Sequence, residues 1–269
     1  MKNLHSFVVL AYKESNYLES CIKSVLNQNI KTKVFIATTT DNKFIRKIAK
    51  KYNLEIITGK HTTIGGDFDF AKNIANTELV TIAHQDDIYD QNFTEEILKA
   101  YKQYKDAIIF FSDYYEIKDN KKEFKNINLN IKKLLLLSLR LKFFSGSKFI
   151  KRNALRFGNA ISCPTVTFVK DKCPKEIFTS DLKCNVDWYA WEKLSKKKGK
   201  FIYISKSLMG HRIHDESTTT EIIKENNRRK EDFFMFKKFW PIKIAKILTK
   251  FYSYSEKNNN LKKSNCKNK

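Results

Sequence analysis

Over its first 112 residues the chain alternates between two hydrophobic periods. Residues 7–10 are a continuous apolar run and read as a buried strand. Leu18, Cys21, Ile22, Val25 and Leu26 then share one helical face, with Asn16 and Glu19 spaced as a capping box at its start. Residues 34–37, 54–57, 79–83 and 107–112 read as further strands. Between them, Ile45, Ile48, Ala49 and Tyr52 mark a second helix, Phe70, Ala71, Ile74 and Ala75 a third, and Phe93, Ile97, Leu98 and Tyr101 a fourth. Strand alternating with helix predicts a mainly parallel sheet covered on both faces. Right-handed crossovers bring the strand C-terminal ends to one edge, where open α/β sheets bind ligands. The polar segments 11–15, 38–41, 59–69 and 84–87 are therefore expected to converge there.

Beyond residue 112 the pattern weakens. Residues 118–133 read as an exposed, Asn-rich connection, and 134–144 (LLLLSLRLKFF) as a buried or interfacial helix, too short to span a bilayer. Residues 158–171 end in a strand-like stretch. Trp188, Trp191 and Leu194 mark a helix beginning near 185–187, and 201–204 look like another strand. An aromatic and basic segment follows at 233–254. Residues 255–269 are polar and charged, the composition of a disordered tail. The expected organisation is a main α/β unit over 1–220, divided into two halves near residue 115. A helical extension over 221–254 and the tail complete it.

Composition adds less. The chain has 269 residues with 52 Lys and Arg against 29 Asp and Glu, a formal net charge of +23. That excess attracts polyanions such as phosphorylated substrates, anionic lipid or nucleic acid, although a Lys-rich genome would produce it too. No helix-turn-helix, zinc-finger or RNP pattern points to specific nucleic-acid binding. Five Cys with no CxxC pair suggest neither a zinc site nor a disulfide framework. A reducing, cytoplasmic setting fits, and the N-terminus does not read as a signal peptide. The absence of GxGxxG and Walker patterns argues against dinucleotide and ATP binding.

The strongest chemical feature is His84-Gln85-Asp86-Asp87, directly after a strand. Adjacent carboxylates at a binding edge stay ionised most easily beside a cation, and Mg²⁺ or Mn²⁺ binds through one or two carboxylates plus substrate phosphates. The plainer alternative is that the pair caps the helix near Asn92.

Residues 7–28 (FVVLAYKESNYLESCIKSVLNQ) and 80–89 (VTIAHQDDIY) resemble the opening and the Asp-x-Asp strand of family 2 glycosyltransferases of GT-A fold. Tyr12-Lys13-Glu14 stands where that family usually has Tyr-Asn-Glu, and Gln85 replaces the first Asp. The resemblance implies an inverting transferase that moves a sugar from a nucleoside diphosphate, UDP favoured, to a saccharide or lipid-linked acceptor hydroxyl. Surface polysaccharide or glycolipid synthesis is the expected setting.

By that resemblance Ala11, Tyr12, Glu14, Thr38 and Asp41 hold the nucleotide. Asp67, Asp69 and Asn73 approach it, or else solvate the Phe70 helix. Gln85 and Asp86 position the sugar or ribose, while Asp87 binds Mn²⁺ or Mg²⁺. Asp187, ahead of Trp188 and Trp191, is the expected general base, or else a helix N-cap. Arg212-Ile213-His214 matches an Arg-x-His pattern, with Arg212 on the diphosphate and His214 as a further metal ligand. Residues 233–241 (FFMFKKFWP) either touch an anionic membrane, giving a peripheral protein at its inner face, or pack on the catalytic unit. Two other readings are a sugar-nucleotide nucleotidyltransferase, which lacks its Gly-rich loop here, and a non-catalytic polyanion binder.

Overall fold

The computed structural model describes residues 4–61, 63–214 and 227–252. Its strands are β1 (His5–Ala11), β2 (Lys33–Thr38), β3 (Glu55–Thr58), β4 (Leu79–His84), β5 (Ile88–Tyr89), β6 (Ala107–Lys118), β7 (Lys121–Glu123), β8 (Val166–Val169) and β9 (Lys200–Arg212). They form one sheet in the order β3-β2-β1-β4-β8-β6-β9-β5, with β7 folded back on β6. β3, β2, β1 and β4 run parallel. β8 is antiparallel to both of its neighbours, and β6 and β9 are parallel again. The four-strand parallel half follows from the βα alternation. The reversed β8 does not, because its partners lie far away in sequence.

Both faces of the sheet are covered, which is why the strands are apolar without alternation. Phe7 and Val9 enter one core and Val8 the other. Helices α1 (Leu18–Leu26), α2 (Lys43–Tyr52) and α4 (Phe93–Gln103) pack on the first core; α3 (Ile64–Ile74) and α8 (Val186–Ser195) pack on the second. Trp188 and Trp191 of α8 are fully buried and donate their indole N–H groups to the Leu155 and Ile161 carbonyls.

Several local expectations need correction. α1 starts after Tyr17 with no side-chain cap, and Glu19 pairs with Lys51 and Tyr52, so no capping box forms. α3 begins at Ile64, with the Thr63 hydroxyl accepting from Gly66 N–H, so the Phe70 stretch is its second half. Residues 118–133 contain β7 and most of α5 (Ile127–Leu135). The 134–144 run is not one buried helix: it ends α5, forms the short α6 (Leu137–Arg140) and exposes Leu134, Leu141 and Phe143. Finally, α9 (Asn227–Lys237) buries Met235 and Phe236 among the α8 tryptophans, and helical residues 242–252 bury Ala245 in the same core. The aromatic segment 233–241 thus turns most of its rings inward, and the 255–269 tail lies outside the described residues.

Candidate active site

The turns after β1, β2 and β4 meet at the carboxyl edge, and backbone contacts set their geometry. Gln85 binds the Tyr12 peptide reciprocally, accepting from Tyr12 N–H at 3.0 Å and donating to the Tyr12 carbonyl at 3.1 Å. An Asp at this position would have no donor for that carbonyl. Lys13 adopts a left-handed backbone with φ of 53°, and its N–H reaches the Thr40 hydroxyl at 2.5 Å. That conformation suits Asn far better than Lys, which is a physical reason for Asn in the Tyr-Asn-Glu pattern. Ser15 donates to Asp86 Oδ1 at 3.0 Å, tying the first turn to the carboxylates.

Asp87 is almost fully buried. Its Oδ1 lies 3.0 Å from His211 Nδ1 and accepts the Arg212 backbone N–H at 3.1 Å, both from the end of β9. Burial alone would raise the Asp87 pKa, but the charge and hydrogen bond of His211, His84 and the Arg212 N–H bring it below the ordinary value. Burial likewise pushes His211 down, yet Asp87 outweighs it and the net shift is upward. Each therefore favours the charged form of the other, which offsets part of their desolvation. Asp87 Oδ2 has no hydrogen-bond partner. Asp86 and Asp87 do not cap α4, since it is Asp90 Oδ1 that accepts Asn92 N–H there.

The other elements of the Arg-x-His pattern gather alongside. Arg212 Nε donates to the Asp86 carbonyl at 3.1 Å and its guanidinium lies 4.5 Å from the centre of the Tyr17 ring. His214 Nε2 lies 3.3 Å from Asp86 Oδ2, and its ring packs on Tyr17.

Asp187 occupies the first turn of α8 and is partly buried. It accepts the Trp188 N–H at 2.8 Å and the Asn159 amide at 2.7 Å. Desolvation holds its pKa above the ordinary value, against those two donors, Lys132 and His84. It does not cap α8, whose N-cap position is Asn185. Two groups interact both with it and with the carboxylates that follow β4. His84, lowered chiefly by burial, interacts electrostatically with Asp87, Asp86 and Asp187. Cys163, raised chiefly by burial, interacts with Asp187 and Asp87. Glu192, one turn further along α8, is buried in ion pairs with Arg152 and Lys196.

The remaining residues expected at the site divide by environment. Ala11 and Thr38 are buried at the strand ends, Thr38 accepting Thr40 N–H, while Tyr12 and Glu14 are exposed in the β1 turn. Asp41 is held in a two-pronged pair by Arg46. Asp67 is half-buried and its pKa is raised by desolvation. Asp69 turns away from the edge: both its oxygens accept from the backbone N–H groups of Ile177, Phe178 and Thr179. Asn73 bonds the Lys175 carbonyl and accepts from Lys72. A Cβ on Gly65 would stand 2.4 Å from the Phe178 carbonyl oxygen, so α3 grips residues 177–179 closely. That strap leads into α8 and so positions Asp187.

Sequence reasoning assigned no role to four residues that the fold brings to the site. His211, Ser15 and His84 adjoin motif positions and are recoverable from the order of strands and turns. Asn159 has no signal, because only the tertiary fold brings it to Asp187.

Among the described residues no three His, Cys, Asp or Glu side chains form a metal cage. A hard divalent ion needs none when substrate phosphates supply the other ligands. The unpartnered Asp87 Oδ2, with Asp86 and His214 beside it, fits that role.

Comparison with known proteins agrees with this fold. The profile of "Glycosyl transferase family 2" matches residues 6–172. Among solved structures, S. aureus TarS residues 1–349 superpose with a TM-score of 0.58 at 11% identity, covering 91% of this chain and 69% of that one. Its complex with UDP gives 0.57 at 12% identity over 91% and 69%, and its complex with UDP-GlcNAc 0.56 at 12% over 91% and 70%. No curated protein sequence is similar enough to match. The match spans more than half of the chain and the fold agrees with it throughout, so the chain belongs to glycosyltransferase family 2.

Proposed function

We propose that the protein transfers a sugar from a UDP-sugar to an acceptor hydroxyl with inversion, Asp187 acting as general base. The observation that carries this reading is the carboxyl edge itself, where Ser15 of the β1 turn and Arg212 and His211 of β9 converge on Asp86 and Asp87 in a chain of glycosyltransferase family 2. UDP is favoured because the structurally similar TarS binds UDP and UDP-GlcNAc.

In this scheme the acceptor hydroxyl gives its proton to Asp187 as its oxygen bonds to the anomeric carbon. The bond from that carbon to the diphosphate breaks, and the electron pair leaves with the nucleoside diphosphate. A carboxylate whose pKa is raised by burial suits this task better than an ordinary one. Arg212 offers positive charge toward the departing diphosphate. Mn²⁺ or Mg²⁺, held by Asp87 and His214 beside Asp86, would supply further positive charge when bound. Tyr12, Glu14, Thr38 and Asp41 form the nucleotide side, with the Gln85 clamp fixing the β1 turn. The acceptor is a saccharide or a lipid-linked sugar.

Calorimetric titration with UDP and GDP, each with and without Mn²⁺, tests the donor assignment. Metal-dependent binding of UDP alone is expected. Binding of neither nucleotide by folded protein, or equal binding without metal, counts against it.

A further inference from the structure

Most of the exposed large apolar side chains of the described residues fall in two segments that the donor site does not use. The first runs from α5 through α7 (Lys148–Asn153). There Ile127, Ile131 and Leu134 lie at helical spacing on one outward stripe of α5, Leu141 is exposed just past α6, and Phe143 and Phe149 stand 83% and 70% exposed. The second is the helical stretch 242–252, where Ile244, Ile247 and Phe251 face outward at i, i+3 and i+7, Phe251 being 69% exposed. Patches of this kind are uncommon on soluble surfaces and mark interaction sites.

Charge identifies the partner. Between Glu123 and Asp171 the chain has ten Lys or Arg and no acidic residue, and no acidic residue occurs from 233 to 255 either. Exposed Lys125, Arg140 and Lys148 flank the first apolar stripe; Lys243, Lys246 and Lys250 alternate with the second. A protein partner would have to be both apolar and uniformly acidic, whereas an anionic bilayer presents both properties at once. No helix of the described residues is long and apolar enough to cross a membrane. Such segments lie in the interface rather than span it.

The two segments also border the proposed base. Lys132 of α5 bonds the Tyr114 hydroxyl at 2.8 Å and interacts with both Asp187 and Tyr252, the latter at the end of the 242–252 helix. The Tyr252 ring packs at a tilt 6.1 Å from that of Trp188, next to Asp187. A bilayer seated on these faces would thus lie beside the acceptor end of the site rather than the nucleotide end.

We propose that the 127–149 and 242–251 faces form one surface that docks on an anionic lipid bilayer and admits a lipid-linked acceptor from it. The acceptor part rests on the transferase reading; the docking itself does not.

The test is sedimentation of the full chain with vesicles of phosphatidylcholine alone and of equimolar phosphatidylcholine and phosphatidylglycerol. The wild type should pellet with the anionic vesicles only, and salt should release it. The triple variant Phe143→Ser, Phe149→Ser, Phe251→Ser replaces exposed rings and should keep its fold and its UDP affinity. It should bind the anionic vesicles about a thousandfold more weakly, the scale expected for three rings at the low end of the cost of leaving an apolar phase. Unchanged vesicle binding by the variant overturns the proposal. So does a wild type that binds neither vesicle, including one whose apolar faces instead pair two copies, detected as a dimer that the variant loses. Because UDP binding is measured separately, failure of docking and failure of the transferase reading are distinguishable.

Discussion

Replacing Asp187 with Asn separates catalysis from folding. The native carboxylate accepts two hydrogen bonds, from Trp188 N–H and the Asn159 amide. Asparagine keeps the shape and one acceptor oxygen, but its own NH₂ then faces a donor, so one bond is lost or Asn159 turns over. That costs about 1 kcal/mol. In the other direction, burial raises the Asp187 pKa, so the folded state holds this proton more tightly than the unfolded chain does. The stabilisation from that proton is fully present below the unfolded carboxylate pKa of about 3.9 and is lost as pH rises through the higher folded value. At neutral pH the ionised group therefore works against folding, and the substitution relieves it. The two effects oppose, and Tm should move by no more than about 2–4 °C for each kcal/mol left over. Turnover has no such compensation. Loss of a positioned general base typically costs about 10²–10⁴-fold, or roughly 3–5.5 kcal/mol at about 1.4 kcal/mol per decade. The assay is steady-state release of UDP with donor and acceptor saturating, alongside calorimetric donor affinity and a thermal melt. Wild-type kcat should rise with pH across a carboxylate pKa above the usual range, and the variant should lack that limb. Turnover within a factor of about three of wild type would refute the base assignment. So would a loss of turnover explained entirely by lost donor binding or unfolding.

Three further outcomes follow from the same geometry. Asp87→Asn should weaken Mn²⁺-dependent UDP binding and lower the His211 pKa, because the main influence opposing burial is removed and only Glu116 still raises it; NMR titration of the imidazole checks this. Gln85→Asp, which restores the family's Asp-x-Asp spelling, should lower stability by about 1–2 kcal/mol in urea unfolding, since a shorter carboxylate cannot donate to the Tyr12 carbonyl. An equal or higher unfolding midpoint would count against the clamp. Lys13→Asn should raise stability by about 0.5–1 kcal/mol by easing the left-handed backbone at φ 53°; a loss on urea unfolding would show that Lys13 contributes something else there.

Part of this protein is written locally. Continuous apolar runs make buried strands, 3.6-residue spacing makes the helices between them, and their alternation forces parallel pairing of β1 to β4 with polar turns at one edge. The carboxylates Asp86 and Asp87 and the start of α8 near Asp187 were legible for the same reason. Each lies within a few residues of a strand end or a helix start, where local pattern speaks. Other features depend on partners distant along the chain. β8 is antiparallel because it fills the gap between β4 and β6, and the His211–Asp87 pair spans 124 residues. Asp69 reads as a site carboxylate by position, yet it serves the 177–179 strap more than 100 residues away. Gln85 reads as a departure from a metal motif, yet it clamps the β1 turn. The direction of the C-terminal aromatics was likewise undetermined by composition, since a run rich in Phe and Lys suits a lipid surface or a protein core equally. Packing against Trp188 decided it, turning Met235 and Phe236 inward and leaving other apolar side chains outside. A side chain's type sets what it can bond with; only the folded chain sets which partner arrives.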